Sequence, residues 1–196
     1  MIKITFTFLT VLLLNLSLSA QNADIDLLKK IHVNRNQNLD KPFNFISESV
    51  YPISLATPIG LLGVGLIKHD KVLQKKGLVT LASLTISMGT TYVLKKIIDR
   101  ERPAINYSFI QPVIIETNGS FPSGHTTAAF STATSLTLAF PKWYVAVPAY
   151  TWASTVAYSR LHLGVHYPSD VLAGAVIGAG SAWLSHKANR WLQKRR

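Results

Sequence analysis

The chain has 196 residues, a formal net charge of +11 and a mean hydropathy of +0.24, with 48% hydrophobic and only 15% charged residues. That length holds one domain, or two small ones. There is no cysteine, which excludes disulfides, a Cys-ligated zinc and a thiol nucleophile together and leaves the redox compartment open.

The opening "MIKITFTFLTVLLLNLSLSA" carries one lysine, runs apolar and ends in small residues. This is the layout of a secretory signal peptide over residues 1–20, with cleavage after Ala20, or of an uncleaved first membrane helix. Either one sends the following residues across a membrane. Residues 21–42 read as a polar, amphipathic lead-in.

Five uncharged stretches follow, at Ser49–Ile67, Gly77–Leu94, Thr126–Pro141, Trp143–Ser159 and Val171–Ser185. Each is near the lower limit of about 17–20 residues for a spanning helix, and the last is short. The pattern predicts an all-α fold, a bundle of five or six membrane-spanning helices, with the buried helices of a soluble bundle as the alternative. Ser and Thr are frequent in these stretches, which a bundle tolerates when hydroxyls bond along or between helices. Gly174 and Gly178, four residues apart, predict a close helix–helix approach. "GLLGVG" at 60–65 reads as helix packing and not as a nucleotide loop, since no strand precedes it and no acid follows. Pro52, Pro58 and Pro148 predict helix kinks.

Charge placement fits a membrane topology. With the N-terminus inside and the stretches alternating, eleven basic residues and the single acid Asp70 fall inside, and nine basic and eight acidic residues fall outside. This is the positive-inside bias. It accounts for the net charge without nucleic acid. Residues 187–196 become a basic cytoplasmic tail beside anionic lipid.

Two outward connections, Lys95–His125 and Arg160–Asp170, collect Lys95, Arg102, Ser123, Gly124, His125, Arg160, His166 and Asp170. Lys and Arg bind phosphate oxygens, Arg as a bidentate fork. "PSGHTT" entering an apolar helix offers helix N-terminal N–H groups to an anion, and Gly124 lets backbone approach closely. A histidine can attack phosphorus or donate a proton to a leaving oxygen, and two could divide those tasks. Asp170, four residues after His166, is in reach to fix its tautomer. The cations argue against a metal here, and no cofactor is implied. His162 lies between two of these residues with nothing in the sequence to pair with it, and reads as structural or as a support behind the site residues.

These residues resemble the type 2 phosphatidic acid phosphatase superfamily. "KKIIDRERP" contains a lysine, six residues, then Arg-Pro, at Lys95 and Arg102-Pro103. "PSGH" stands at 122–125. "SRLHLGVHYPSD" at 159–170 has Ser-Arg, five residues, His, three residues, Asp. The resemblance implies a domain over residues 43–186 with its active site at the extracytoplasmic face. It implies that His166 attacks phosphorus to form a phosphohistidine, that Asp170 orients it, and that His125 protonates the leaving oxygen and then activates water. Lys95, Arg102 and Arg160, with Ser123 and the Gly124 N–H, would hold the phosphate. An interfacial site suits a lipid phosphate or diphosphate, whether isoprenoid diphosphate, phosphatidylglycerol phosphate, phosphatidate or lipid A phosphate. Isoprenoid diphosphate is the preferred expectation, because recycling a carrier lipid is a general need of walled cells. Within the same superfamily the alternatives are a soluble secreted acid phosphatase and a vanadate-dependent haloperoxidase. Outside its chemistry stands a non-catalytic membrane interaction or transport protein. The sequence leaves the oligomeric state open.

Overall fold

A computed structural model describes residues 23–195. The expected leader over residues 1–20, with its cleavage after Ala20, lies outside the described residues. All regular structure described is helical, as the apolar stretches predict.

Helix α1 (23–32) is the amphipathic lead-in, burying Ile25, Leu28 and His32 at helical spacing. A single 3-10 turn leads to α2 (Asp40–Glu48) and α3 (Val50–Ile67). Helix α4 (Lys71–Ile98) starts at Asp70, whose Oδ1 accepts bonds from the N–H groups of Val72 and Leu73 at 2.8 and 3.0 Å. It ends at Asp99, in the left-handed conformation with φ 43°. A one-turn helix α5 (Pro103–Asn106) precedes an irregular connection. Then come α6 (Gly124–Ala139), α7 (Trp143–His162) and α8 (Pro168–Lys194).

Helix α6 is the central element, packed against α3, α4, α7 and α8. Seven of its 16 residues are Ser or Thr, and several of those hydroxyls bond across to neighbouring helices. Ser131 meets Ser83 of α4 at 2.9 Å, Thr132 donates to Ser54 of α3 at 2.9 Å, and Thr134 meets Tyr150 of α7 at 2.9 Å. The α6–α8 seam depends on the glycines the sequence singles out. A Cβ on Gly174 would come within 2.6 Å of the Ser123 carbonyl oxygen, and one on Gly178 would collide with the Thr127 carbonyl. In "GLLGVG" only Gly65 is at a close approach, with a Cβ position 2.7 Å from the Gln74 nitrogen; Gly60 and Gly63 face open space.

Among the described residues, two segments, Gln37–Ile67 and Lys71–Asn106, are long and apolar enough to cross a membrane. The sequence predicts five such stretches, and the difference has a physical reason. Helix α6 is short and hydroxyl-rich because other helices enclose it. Helices α7 and α8 carry Arg160, His162 and Asp170 at the site end, and α8 is basic at the other end. Pro52 falls in the first turn of α3, where no intrahelical N–H is lost, whereas Pro58 and Pro148 are helix-internal.

Candidate active site

The C-terminal ends of α4 and α7 meet the N-terminal ends of α6 and α8 at one end of the bundle. Every sequence-predicted site residue lies there. Lys95 is in the last turn of α4 and Arg102 is the N-cap of α5. Ser123 is the N-cap of α6, with Gly124 and His125 in its first turn. Arg160 closes α7, His166 sits in the turn before α8, and Asp170 is in the first turn of α8. Gly164 makes that turn possible, since its φ is +73° and a Cβ there would meet the His32 ring at 2.6–2.8 Å.

His166 is 1% exposed. Its Nδ1 is 3.4 Å from Asp170 Oδ2 and its Nε2 is 3.4 Å from Arg102 Nη1. A guanidinium has only donors, so the nitrogen facing it carries the lone pair and Nδ1 carries the hydrogen. Burial pulls the imidazole down to about 4, although the hydrogen bond that Nδ1–H donates to Asp170 opposes the shift. At neutral pH His166 is therefore uncharged, with its free lone pair turned toward the arginines.

Asp170 is fully buried and saturated with donors. Its Oδ2 accepts from Ser120 Oγ at 2.5 Å and from the Tyr167 N–H at 2.9 Å, while Oδ1 accepts from Arg100 Nη1 at 2.8 Å. Arg100 lies 3.7 Å over the Tyr167 ring and also pairs with Asp24 at 2.8 Å. Asp24 in turn accepts from the Ser169 N–H at 2.8 Å. Helix α1 is thus tied to the carboxylate behind His166.

The cations surround an anion. The Glu116 carboxylate pairs with Arg102 Nη2 at 2.6 Å and with Arg160 Nη2 through its other oxygen. Burial would raise its pKa, but Arg160 and Arg102 outweigh it and hold Glu116 at about 2. Arg160 is fully buried, and its Nε has no hydrogen-bond partner among the described residues. Arg102 is fixed by the carbonyls of Asn118 at 2.9 Å and Val165 at 2.7 Å. Lys95 Nζ reaches the carbonyls of Gly119 and Ser120. Two guanidinium groups holding a carboxylate through both its oxygens form an oxyanion site.

Ser123 closes the ring. Its N–H donates to the Asp170 carbonyl at 3.0 Å, and its Oγ accepts from the N–H and hydroxyl of Thr126 at 3.4 and 3.0 Å. The N–H groups of Gly124 and His125 belong to the open first turn of α6, where a helix favours an anion. A Cβ on Gly124 would make only ordinary contact, 3.7 Å from the Tyr51 hydroxyl, so packing does not demand glycine there. The His125 ring stands edge-on to Tyr51 with centroids 4.9 Å apart. His162 is outside this group, as expected, but it is not unpaired: its Nε2 is 2.8 Å from Asp40 Oδ1 and its ring is 4.5 Å from that of Phe43. Those partners lie more than a hundred residues upstream, beyond the reach of local sequence reading.

Sequence reasoning missed Glu116, Ser120, Arg100, Asp24 and Tyr51. One signal was available for Glu116. It is the only acid between Glu101 and Asp170, isolated among the motif cations. Arg100 and Ser120 sit within or beside the motifs but read as neighbours. Asp24 and Tyr51 carry no local signal.

Among relatives, a lipid A 4'-phosphatase of Bacteroides thetaiotaomicron is 36% identical over 110 residues, 51% of this chain and 49% of that one. An undecaprenyl-diphosphatase of Sulfolobus acidocaldarius is 33% identical over 116 residues, 57% of this chain and 54% of that one. The chain spans about half the length of these two relatives. Among solved structures, a transmembrane PAP2 type phosphatidylglycerolphosphate phosphatase from Bacillus subtilis superposes with a TM-score of 0.76 at 27% identity, covering 96% of each chain. The profile of the PAP2 superfamily matches residues 76–194, and the chain belongs to that superfamily.

Proposed function

We propose that this protein is a membrane lipid phosphatase that hydrolyses a lipid phosphate or diphosphate through a phosphohistidine on His166. One observation carries the reading. The His166 Nε2 lone pair faces Arg102, the same guanidinium that, with Arg160, holds the Glu116 carboxylate. A substrate phosphoryl group taking the place of that carboxylate meets the nucleophile and the cations together.

His166 Nε2 attacks phosphorus and the bond to the leaving oxygen breaks. Asp170 holds Nδ1–H and stabilises the imidazolium that develops. Lys95, Arg102, Arg160 and the N–H groups at the start of α6 take up the charge on the equatorial oxygens. Ser123 frames that helix start. His125 gives the leaving oxygen its proton, then removes one from the water that attacks the phosphohistidine. Inorganic phosphate leaves and His166 is restored. The residues do this work without a metal ion.

The surface supports a membrane setting. Arg160, His166, Asp170 and many Ser and Thr side chains are buried, while Ile59, Ile67, Ile86, Val93, Leu172 and Val176 are each more than half exposed. Polar inside and apolar outside suits hydrocarbon surroundings, with α6, α7 and α8 spanning beside α3 and α4. The same surface disfavours a soluble acid phosphatase. With the basic end of the bundle inside, the site faces the exterior. The names of the relatives point to lipid A and isoprenoid diphosphate as substrates to try first.

The test is phosphate release by the detergent-purified protein, with EDTA present, from an isoprenyl diphosphate, a lipid A phosphate and a water-soluble phosphomonoester. Release from a lipid supports the proposal. Strong turnover of the soluble ester with none of either lipid would overturn it.

A further inference from the structure

A second recess lies at the far end of the bundle, where α4 begins and α6 and α8 end. Its volume is about 510 Å³. Val72, Val79, Leu138 and Ala182 form apolar walls, and Lys71, Lys75, Lys76, His186 and Arg190 stand around them. No Asp or Glu lines it. The nearest acid in sequence, Asp70, is engaged with the first N–H groups of α4.

Scattered lysines at a membrane edge are ordinary. This recess differs in two ways. Ser135 lines it, is 6% exposed, and its Oγ has no hydrogen-bond partner among the described residues. A buried hydroxyl left without a partner loses free energy that a ligand oxygen would restore. The recess also continues past Leu138, His186 and Arg190 into a neighbouring one of about 440 Å³ lined by Trp183 and Trp191. Lys187 lies 4.6 Å over Trp183, and Arg195 lies 3.6 Å over Trp191. Tryptophan beside basic residues is the composition of a headgroup-level interface.

We propose that this recess binds an anionic glycerophospholipid of the leaflet opposite the active site. The phosphodiester sits among Lys75, Lys76 and Arg190 and accepts the Ser135 hydroxyl, and the start of an acyl chain lies against Leu138 and Val72. Free phosphate would use the cations but leave the apolar walls and the tryptophans without a role, so a lipid is the occupant. The inference rests on the reading that the chain spans a membrane. It does not depend on the catalytic assignment, because a phosphodiester at the far end is not the phosphate being hydrolysed.

The experiment is native mass spectrometry of the full chain released from detergent with phosphatidylglycerol or phosphatidylcholine added. It compares the wild type, Lys75→Ala/Arg190→Ala, and Lys68→Ala/Lys142→Ala. The last pair removes the same charge from the same end but lines neither recess. The expected result is phosphatidylglycerol retained by the wild type and the Lys68/Lys142 pair, and weakened about 10- to 30-fold in the Lys75/Arg190 pair, following the worth of each cation beside an anionic headgroup. Ser135→Ala should weaken it further without changing charge. Equal loss in both pairs would reduce the effect to general attraction and overturn the site. So would competition by millimolar glycerol phosphate, which would make it a free-phosphate site. Equal retention of phosphatidylcholine would overturn the site and leave the membrane reading standing. A protein that stays monodisperse without detergent and binds neither lipid would overturn both.

Discussion

Asp170 stands four residues after His166, with its Oδ2 3.4 Å from the imidazole Nδ1 and 2.5 Å from the Ser120 hydroxyl. The carboxylate therefore holds the hydrogen on Nδ1 and leaves the lone pair on Nε2. Burial holds His166 at about 4, and Asp170 opposes that shift. On the proposed mechanism the attacking imidazole must be neutral, so the step that depends on His166 is kept above this value and lost below it. In the wild type the acid limb of kcat/KM should lie near 4. Asp170→Asn removes the group that favours the imidazolium, so the limb should move lower while kcat drops about 10²- to 10⁴-fold. A limb near 6.5 in both proteins would mean that another group sets it. The pH profile of both proteins between about 3 and 8, the range spanned by ordinary carboxylate and histidine titration, checks this.

The proposed role of His125 at the leaving oxygen makes its importance depend on the leaving group. His125→Gln should cost about 10²- to 10⁴-fold on an alkyl phosphate, whose alkoxide needs a proton. On p-nitrophenyl phosphate the loss in the first step should be much smaller, because that phenolate leaves unprotonated. Burst kinetics with both esters would separate the two steps. An equal loss with both leaving groups in the first step would assign His125 to binding instead.

Glu116 occupies the oxyanion site by pairing with both Arg102 and Arg160. A phosphate bound there as proposed would have to displace it, so the two would compete for the same donors. Glu116→Gln should lower the inhibition constants of inorganic phosphate and vanadate about tenfold, within the measured range for close charge pairs. If those constants rise instead, Glu116 positions the arginines and does not compete with the anion.

The α6–α8 seam is a packing test separate from chemistry. A side chain on Gly178 meets the Thr127 carbonyl and comes within 2.8 Å of the Ser131 nitrogen. Gly178→Leu should destabilise by about 1–3 kcal/mol or more, lowering the unfolding midpoint in detergent by about 3–10 °C. Gly180→Leu, where nothing lies within 4 Å of the added carbon, should have little effect. Thermal melts of the two variants side by side decide it.

The helices and the motif residues were legible because both are local. Apolar runs, Asp70 before α4, Ser123 before α6 and the Lys95, Arg102, Arg160, His166 and Asp170 spacings all act within a few turns. Gly174 and Gly178 announced their seam through spacing alone. What stayed hidden joins distant segments. Asp24 reaches Arg100 and Ser169, Asp40 reaches His162, and Glu116 joins two arginines 58 positions apart in the numbering. The frequent Ser and Thr of α6 were legible as hydroxyls bonding along or between helices, but their particular partners were not. Thr132, Ser131 and Thr134 meet Ser54, Ser83 and Tyr150 once the helix is enclosed.

The most direct measurement is to quench turnover of a phosphorus-labelled lipid substrate in alkali, where a phosphoramidate survives and acyl phosphates do not. Mass spectrometry then locates the label. The account predicts phosphate on His166 of the wild type, accumulation there in His125→Gln with p-nitrophenyl phosphate, and no labelled peptide or turnover in His166→Ala. Turnover by His166→Ala at the wild-type rate, or label on another residue, would contradict it.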